Sequence, residues 1–471
     1  MGRFDSCISP PCRMTLDVLP PVHELLNTPE VREETIGIAE IYRTRLVRAM
    51  TARFRARLKS QPGAHRDRPA VTKELIKEIV REAQDLMTPF PQRVINGTGV
   101  VIHTNLGRAP LGDAWSEIDL RVLSGYSNLE WDVSSQKRSN RDRHAGALLT
   151  ILTGAEEALV VNNCASALLL ALNALAKDKE VLVSRSELVE IGGGFRIPEI
   201  LETSGCRLVE VGTTNRTRLE DYEARAKSGR SVLLKVHQSN FVQRGFVESV
   251  SLQQLVALGR RRKIPVVYDA GSGLLAPSSA PFLRNEPALD QSVKDGAGVV
   301  TSSADKLLGS IQAGLIVGKA SLLRPMRKNP LYRALRLDKV RLTLLDYALR
   351  QYLGGCWERI PLWRMASRGG EDVSRRAQLL RLPQNGGRWA QIQWTRLPGQ
   401  LGGGSNPEES FESVGLRFLH RDYSAKQLKE KFVDRRTPVL GYIHNNAFHV
   451  DVGAFFSDDF DELQRIIDEL S

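Results

Sequence analysis

Short apolar runs and amphipathic stretches alternate through most of the chain. Six runs have the length and the Val/Leu/Ile content of buried strands: ALVVNN, EVLVSR, RLVEVG, SVLLKV, IPVVYDA and GVVTSS. Stretches of helical periodicity, such as CASALLLALNALAKD and SLQQLVALGRRRK, separate several of them. This alternation predicts an α/β fold, a mostly parallel sheet with helices on both faces. In such a sheet, ligands bind at the C-terminal ends of the strands.

The pattern changes on both sides of this α/β region. Before it, the chain has apolar residues at helical spacing and almost no glycine, apart from a linker-like QPGAHRDRPA. After it, a long basic helical stretch leads to three alternating runs and an amphipathic terminal helix. We predict a helical N-terminal domain with a linker over 1–88, a large domain over 89–340, and a bridging helix with a small α+β domain over 341–471.

The charge balance adds a partner to this picture. The chain has 66 Lys and Arg against 54 Asp and Glu, a net charge of +12. Such a balance favours a polyanion, with nucleic acid as the first choice, and an evenly basic surface is the alternative. Seven cations with no carboxylate among them form a basic stripe on the predicted N-terminal helix: Arg43, Arg45, Arg48, Arg53, Arg55, Arg57 and Lys59. We interpret the basic stripe as a contact with an RNA backbone rather than a solvated helix face.

Other features argue against several classes of protein. The chain contains no apolar run of about eighteen residues, which a membrane-spanning helix needs. Its first residues are too polar for a signal peptide. Five scattered cysteines form neither a CxxC pair nor a cluster with histidine, which argues against a zinc site and fits a reducing compartment. We therefore expect a cytoplasmic protein without a metal.

The run TSSADKLLGSIQAGLIVG at 301–318 carries the strongest chemical signal. Lys306 lies in a tight turn between two apolar strands, which predicts a buried and nucleophilic amine. Such an amine can hold pyridoxal 5'-phosphate as a Schiff base. Asp269 ends the strand VVYDA, where a carboxylate can keep the pyridine nitrogen protonated. For each residue alone, an ion-paired lysine or a turn-capping aspartate is the alternative.

Groups that bind the cofactor are expected at neighbouring strand ends. The turn after ALVV opens a helix whose first amides can bind phosphate. Its cradle candidates are Asn163, Cys164, Ala165 and Ser166, although helix capping explains Asn163 and Ser166 equally well. Ser303 adds a hydroxyl from the lysine turn, and His237 ends another strand, as do Asn162 and Arg185. The glycine-rich IGGGFRIP lacks the spacing of a nucleotide-binding loop.

Three arginines suit a second, anionic ligand. Arg108 lies in the strand-to-loop segment VVIHTNLGRAPL. Arg333 and Arg336 are three residues apart, which predicts that they share one face of a helix. Guanidinium groups match a tetrahedral oxyanion such as phosphate.

Many segments, in order, resemble the bacterial selenocysteine synthase family, the L-seryl-tRNA(Sec) selenium transferases. They include LPPVHELLN, INGTGVVIHTNLGRAPL, NLEWDV, RSNRDRHA, TGAEEALVVNNCASALLL, VLVSRSELVEIGGGFRIPEI, EVGTTNRT, KVHQSNF, YDAGSG, SADKLLGSIQAGLIVG, NPLYRALRLDK and GQLGGGSNPEES. The resemblance implies a fold-type I pyridoxal-phosphate enzyme. It would convert seryl-tRNA(Sec) to selenocysteinyl-tRNA(Sec) by β-elimination to aminoacrylyl-tRNA and addition of selenium from selenophosphate.

The resemblance also implies roles for single residues. Lys306 would carry the cofactor, Asp269 would contact its ring nitrogen, and Asp305 would assist proton handling. Selenophosphate would be clamped by the three arginines Arg108, Arg333 and Arg336. The N-terminal helices would bind tRNA, not DNA, through the basic stripe. The family's assembly implies a homodecamer with active sites between subunits.

Three departures from the family pattern stand out. NNCASA replaces the usual NNNAAA, which puts Cys164 in place of an asparagine. GSIQAG replaces GGPQAG at Ser310 and Ile311, and Gly453 stands about where an arginine is usual. None of them removes the lysine, the aspartate or the three arginines.

Two other functions stay open at this stage. A paralogous lyase or transferase for a small amino acid or amino sugar phosphate would share the large domain, but such paralogues commonly lack the N-terminal helices. A catalytically silent RNA-binding protein would not need Lys306 and Asp269. The chain has both the predicted N-terminal helices and the pair Lys306 and Asp269. We therefore favour the selenium transferase.

Overall fold

The computed structural model describes most of the chain, in these ranges: 18–60, 67–191, 194–276, 280–283, 285–367, 375, 378–383, 387–402 and 409–471. Two compact units are found, Met1–Arg93 and Val94–Ser471. The first ends close to the predicted boundary at residue 88, and the boundary at 340 stays a prediction. Most of the linker-like stretch, residues 61–66, lies outside the described residues, as do Cys7 and Cys12.

The described part of the first unit is helical, as predicted. Its helices are α1 Val22–Asn27, α2 Pro29–Glu34, α3 Glu40–Ser60 and α4 Arg68–Met87. Asp67 caps α4 by accepting a hydrogen bond from the amide of Ala70. Buried residues then recur every four positions along α4, at Val71, Leu75 and Ile79. They form one core with the buried side of α3.

The second unit combines strands and helices throughout. Its strands are β1 Ile95–Asn96, β2 Trp131–Asp132, β3 Lys137–Arg138, β4 Glu157–Val161, β5 Glu180–Ser184, β6 Glu190–Ile191, β7 Phe195–Arg196, β8 Arg207–Val211, β9 Ser231–Val236, β10 Val266–Gly271, β11 Val299–Ser303, β12 Gly314–Gly318, β13 Trp389–Gln400, β14 Ser410–His420, β15 Val439–Leu440, β16 Tyr442–His444 and β17 Ala447–Asp451. Its helices are α5 Ala114–Glu117, α6 Arg121–Ser124, α7 Arg143–Thr153, α8 Cys164–Ala176, α9 Ile197–Thr203, α10 Leu219–Glu223, α11 Leu252–Arg262, α12 Leu289–Lys294, α13 Ala320–Lys328, α14 Pro330–Ala334, α15 Lys339–Leu353, α16 Pro361–Ser367, α17 Ala425–Val433 and α18 Asp459–Glu469.

A seven-stranded sheet organises this unit, in the order β4-β12-β11-β10-β9-β5-β8. Strand β12 runs antiparallel to both neighbours, and the other pairs are parallel. All six predicted strands belong to this sheet. Successive residues alternate between two cores, as Val267 and Tyr268 of β10 show. Helices α8, α9 and α13 cover one face, and α7, α11, α12 and α15 cover the other.

The chain ends in a small α+β layer, also as predicted. Strands β13-β14-β17-β16 form an antiparallel sheet. Leu428 and Phe432 of α17 and Leu463 and Ile467 of α18 form its core. Across the described helices, length and apolarity never combine to the extent that a membrane crossing requires.

Candidate active site

Neighbouring strand ends bring Asp269 and the lysine turn together. Asp269 of β10 is the register partner of Thr301 of β11. The Thr301 hydroxyl therefore reaches across and donates a hydrogen bond to Asp269 Oδ1 at 2.9 Å. The lysine turn follows β11 directly, at the same edge of the sheet, and Lys306 is the third residue after that strand. Asp269 and Lys306 are thus held by adjacent parallel strands, as the sequence predicted.

The turn that carries Lys306 is fixed by backbone hydrogen bonds. The amide of Leu307 donates to the carbonyl of Ser272 at 2.8 Å, and the amide of Gly309 donates to the carbonyl of Lys306 at 2.9 Å. Lys306 itself is only 5% exposed. Its amine has no hydrogen bond or ion pair with any described residue. Since burying an unpartnered ammonium is costly, this amine fits a role in binding a ligand.

Asp269 is buried and accepts side-chain hydrogen bonds. Besides Thr301, the thiol of Cys164 donates to Asp269 Oδ1, with 3.2 Å between the two atoms. Burial raises the pKa of Asp269, and this effect outweighs the hydrogen bonds from Cys164 and Thr301 and the charge of Lys306, which act in the opposite direction. The carboxyl therefore holds a proton more readily than an exposed aspartate does.

Asp305 ties the arginine loop to the lysine turn. Arg108 Nη1 donates to both carboxylate oxygens, at 3.2 and 3.1 Å, and the amide of Ala109 donates to the Asp305 carbonyl at 3.1 Å. Arg108 adopts a φ of 64°, which a non-glycine residue keeps only where its surroundings hold it. The Ser303 hydroxyl also donates to Asp305, at 2.5 Å. A contact between Ser303 and a phosphate therefore requires this hydroxyl to rotate away.

The cradle candidates divide into two pairs. Asn163 caps α8, and its Oδ1 accepts a hydrogen bond from the amide of Ser166 at 2.8 Å. The capping alternative thus accounts for these two residues. The amides of Cys164 and Ala165 precede the first intrahelical bond, as the free amides of a helix N-terminus do. They are the described groups best suited to an anion at this strand end.

His237 follows β9, and its amide donates to the carbonyl of Asp269 at 2.9 Å. Its side chain lines a cavity of about 310 Å³ together with Lys235 and Glu286. The distance from His237 Nε2 to Glu286 Oε2 is 3.6 Å. Arg185, at the end of β5, is engaged in an exposed ion pair with Glu210 at 2.7 Å.

The prediction that Arg333 and Arg336 share a helix face is wrong. Helix α14 ends at Ala334, and Leu335 follows it with its carbonyl accepting a hydrogen bond from the amide of Asn162 at 3.0 Å. This bond attaches the segment to the end of β4 and stops the helix before Arg336. Arg333 is exposed and makes no hydrogen bond or ion pair among the described residues. Arg336 is half-buried.

No sequence pattern pointed to Glu130, which holds the segment with Arg336 in place. Glu130 Oε1 accepts hydrogen bonds from Arg336 Nη1 at 3.1 Å and from Arg141 Nη2 at 2.7 Å. Arg141 Nη1 also donates to the carbonyl of Leu337 at 2.7 Å. The hydrogen bond from Arg141 is the main cause that lowers the pKa of Glu130. The only signal in the sequence was an acid in NLEWDV followed by the arginines of RSNRDRHA.

The basic stripe lies on α3, but α4 neutralises part of it. Arg53 pairs with Glu82 at 3.0 Å, and Arg57 pairs with Glu74 and Glu78 at 3.2 and 2.6 Å. The other five cations of the stripe form no ion pair with any described residue: Arg43, Arg45, Arg48, Arg55 and Lys59. At 100° per residue, four of them fall within an arc of about 80°. We call these four the basic face: Arg45, Arg48, Arg55 and Lys59.

The structure shows what surrounds Ser310, Ile311 and Gly453, where the chain departs from the family pattern. The Ser310 hydroxyl is buried and has no hydrogen-bond partner among the described residues, and Ile311 packs partly buried against the core. A side chain at Gly453 would place its Cβ 2.4 Å from the Ser413 hydroxyl, so an arginine there requires a rearrangement. The glycine-rich segments are described only in part, since residues 192–193 and 403–408 lie outside the described residues.

Comparisons with known proteins identify the family and the fold. The family model described as L-seryl-tRNA selenium transferase (SelA) matches residues 94–456. The L-seryl-tRNA(Sec) selenium transferase of Carboxydothermus hydrogenoformans is 39% identical over 459 residues, which cover 96% of this chain and 97% of that protein. The L-seryl-tRNA(Sec) selenium transferase of Geotalea uraniireducens is 42% identical over 403 residues, which cover 85% of this chain and 87% of that protein. A solved D-glucosaminate-6-phosphate ammonia-lyase superposes with a TM-score of 0.55 at 18% identity, covering 82% of this chain and 97% of that one, which shows a shared fold alone.

Proposed function

The chain belongs to the L-seryl-tRNA selenium transferase family, and from this premise we propose how its residues perform the reaction. It is an enzyme that converts L-seryl-tRNA(Sec) to L-selenocysteinyl-tRNA(Sec), with pyridoxal phosphate as cofactor and a fold-type I architecture. The observation that carries the proposal is Lys306, a buried amine without a partner among the described residues, at the same sheet edge as Asp269.

The residues at this edge fit the cofactor. Lys306 would hold its aldehyde carbon, Asp269 its ring nitrogen, and the amides of Cys164 and Ala165 its phosphate. The fit rests on an unpartnered buried amine and on helix amides that lack acceptors in the first turn of α8. When bound, the cofactor supplies an electron sink for the bonds broken at the seryl group.

Each residue then has a defined task. The Lys306 amine takes the proton from the seryl Cα, because it is the base of this turn and has no competing partner among the described residues. Asp269, as a carboxylate held by Cys164 and Thr301, would accept a hydrogen bond from a protonated ring nitrogen, and its burial would strengthen that ion pair because water screens it little. Asp305, fixed by Arg108 and Ser303 beside Lys306, assists the transfer of that proton. The β-hydroxyl would take up a proton and leave as water. Selenium from selenophosphate would then bond to Cβ while its bond to phosphorus breaks and a water molecule takes the phosphoryl group.

Selenophosphate is the selenium donor in this proposal, and Arg108, Arg333 and Arg336 bind it. Arginine has five N–H donors, and a bond to one carboxylate leaves others free. Arg336 Nε is buried without a hydrogen-bond partner among the described residues, and Arg333 is exposed and unpaired among them. The basic face supports tRNA binding by the first unit. A homodecamer stays a prediction that rests on the resemblance, and a cytoplasmic location stays a prediction that rests on the cysteine content and the polar first residues.

Borohydride trapping tests the central assignment. Reduction of the protein loaded with pyridoxal phosphate should fix one cofactor per chain on Lys306, measured by absorbance and peptide mass. Lys306→Ala should retain no reducible cofactor and should lose selenium transfer to seryl-tRNA. Lys319→Ala is the matched control, because Lys319 is exposed at the end of the next strand. Reducible cofactor in Lys306→Ala would show that the assignment is wrong.

A further inference from the structure

Cys164 contacts the key carboxylate through its side chain. It is the first residue of α8, directly after the cap Asn163, and its half-buried side chain contacts Asp269 of β10. Cys164 Sγ lies 3.2 Å from Asp269 Oδ1, and the Thr301 hydroxyl lies 2.9 Å from the same oxygen. One carboxylate oxygen thus accepts hydrogen bonds from two elements, α8 and β11.

Two donors on one oxygen fix the plane of a carboxylate. The terminal torsion of an aspartate has broad wells, so a single hydrogen bond leaves the group free to pivot about that contact. The second contact removes this freedom. Because both described side-chain hydrogen bonds end on Oδ1, Asp269 Oδ2 is the oxygen left for a ring nitrogen.

We propose that Cys164 is a positioning residue for the reaction, whose thiol orients Asp269 toward the cofactor's ring nitrogen. The inference rests on the proposed function and deepens it. The family pattern that this sequence resembles has asparagine where this chain has Cys164. Burial, followed by the negative charge of Asp269, raises the pKa of Cys164 well above its ordinary value. The sulfur therefore keeps its proton and serves as a donor, rather than as a reactive thiolate.

Cofactor titration of three variants tests this role. Cys164→Ala removes the donor and should weaken pyridoxal-phosphate binding by about five- to tenfold, the effect of one hydrogen bond to a charged group. Cys164→Ser keeps a donor and should stay within about threefold of the wild type. Cys206→Ala is the matched control, because this half-buried thiol donates to the Leu201 carbonyl at 3.0 Å. It should bind the cofactor as the wild type does.

The S–H stretching band gives a second readout that needs neither cofactor nor activity. The band that disappears in Cys164→Ser should lie at a lower frequency than the band of the exposed Cys356, because donation to a carboxylate weakens the S–H bond. This measurement decides the matter even if Cys164→Ala does not fold.

Three results would overturn the inference. They are wild-type cofactor binding by Cys164→Ala, equal weakening in Cys164→Ser and Cys164→Ala, or a Cys164 band at the frequency of a free thiol. Each of these leaves the role of Lys306 intact. A wild-type chain that binds no pyridoxal phosphate would instead overturn the proposed function together with this inference.

Discussion

The charged groups around the lysine turn and those on α3 are held in opposite ways. Asp269, Asp305 and Lys306 are each at most 6% exposed, and the two carboxylates accept hydrogen bonds from named donors. The cations on α3 are mostly exposed, and only Arg53 and Arg57 meet carboxylates of α4. The fold therefore fixes the positions of the three buried groups. The exposed cations on α3 are instead available for contact with a ligand from solution.

The difference follows from the free energy of burying a charge. A buried charge without a partner costs several kcal/mol, so its position is strongly constrained and any unpartnered one needs a functional reason. An exposed ion pair contributes about 0–1 kcal/mol, so a surface helix tolerates paired and unpaired cations alike. Burial therefore supports the proposal for Lys306, whereas support for the basic face has to come from a binding measurement.

Among changes that leave Lys306 in place, the largest effect is expected from Arg108→Ala. This change removes both hydrogen bonds from the guanidinium to Asp305 and leaves a buried carboxylate with Ser303 as its remaining described side-chain donor. Selenium transfer should fall by about 10²–10³-fold, as for the loss of one preorganised donor. The free energy of unfolding should fall by about 3 kcal/mol. Steady-state transfer assays and urea unfolding measure the two quantities.

Arg185→Ala is the control for this change, because its ion pair with Glu210 lies on the surface. We expect transfer within about twofold of the wild type and a stability loss below about 1 kcal/mol. Equal losses of transfer and of stability in Arg108→Ala and Arg185→Ala would contradict the distinction between buried and exposed charges.

The same distinction decides how much could be predicted from the sequence. Apolar runs predicted all six strands, and parallel topology then placed Asp269 and Lys306 at one edge. Arg336 was misplaced because helical spacing carries no sign of the hydrogen bond between Asn162 and Leu335 that ends α14. Glu130 was missed since its partner Arg336 lies 206 residues away in the chain.

The basic stripe shows a second way in which prediction from the sequence was incomplete. The absence of carboxylates among its residues is correct along α3, but Glu74, Glu78 and Glu82 of α4 neutralise two of the cations. Only the packing of the two helices reveals this. What was one stripe of seven in the sequence becomes a basic face of four in the structure.

A change to the basic face should have the second largest effect. Replacing its four cations together by alanine should weaken binding of seryl-tRNA about 100-fold near physiological salt. The slope of log K against log salt should become shallower by about 3, since each lost phosphate contact contributes about 0.7–0.9. Filter binding over a range of salt concentrations measures both.

Arg53→Ala with Arg57→Ala is the matched control on the same helix. These two cations are already paired with carboxylates of α4, so we expect less than about a fivefold loss of affinity and a slope change below about 1. If this pair weakened binding as much as the basic face does, the assignment of the face would fail. Such a result would mean that tRNA displaces the intramolecular carboxylates.

The smallest effect concerns a buried carboxyl in the C-terminal sheet that belongs to neither group. Asp451 is 1% exposed, its Oδ2 has no hydrogen-bond partner among the described residues, and burial raises its pKa from 3.8 to about 6. Between these two values the folded state binds a proton that the unfolded state releases, so this contribution to stability is present below about pH 4 and is lost as the pH rises to about 6. The slope should be at most about 1.4 kcal/mol per pH unit, and Asp451→Asn should remove it. Urea unfolding at several pH values compares the two proteins. Parallel curves would mean that Asp451 is ionised in the folded state despite its burial.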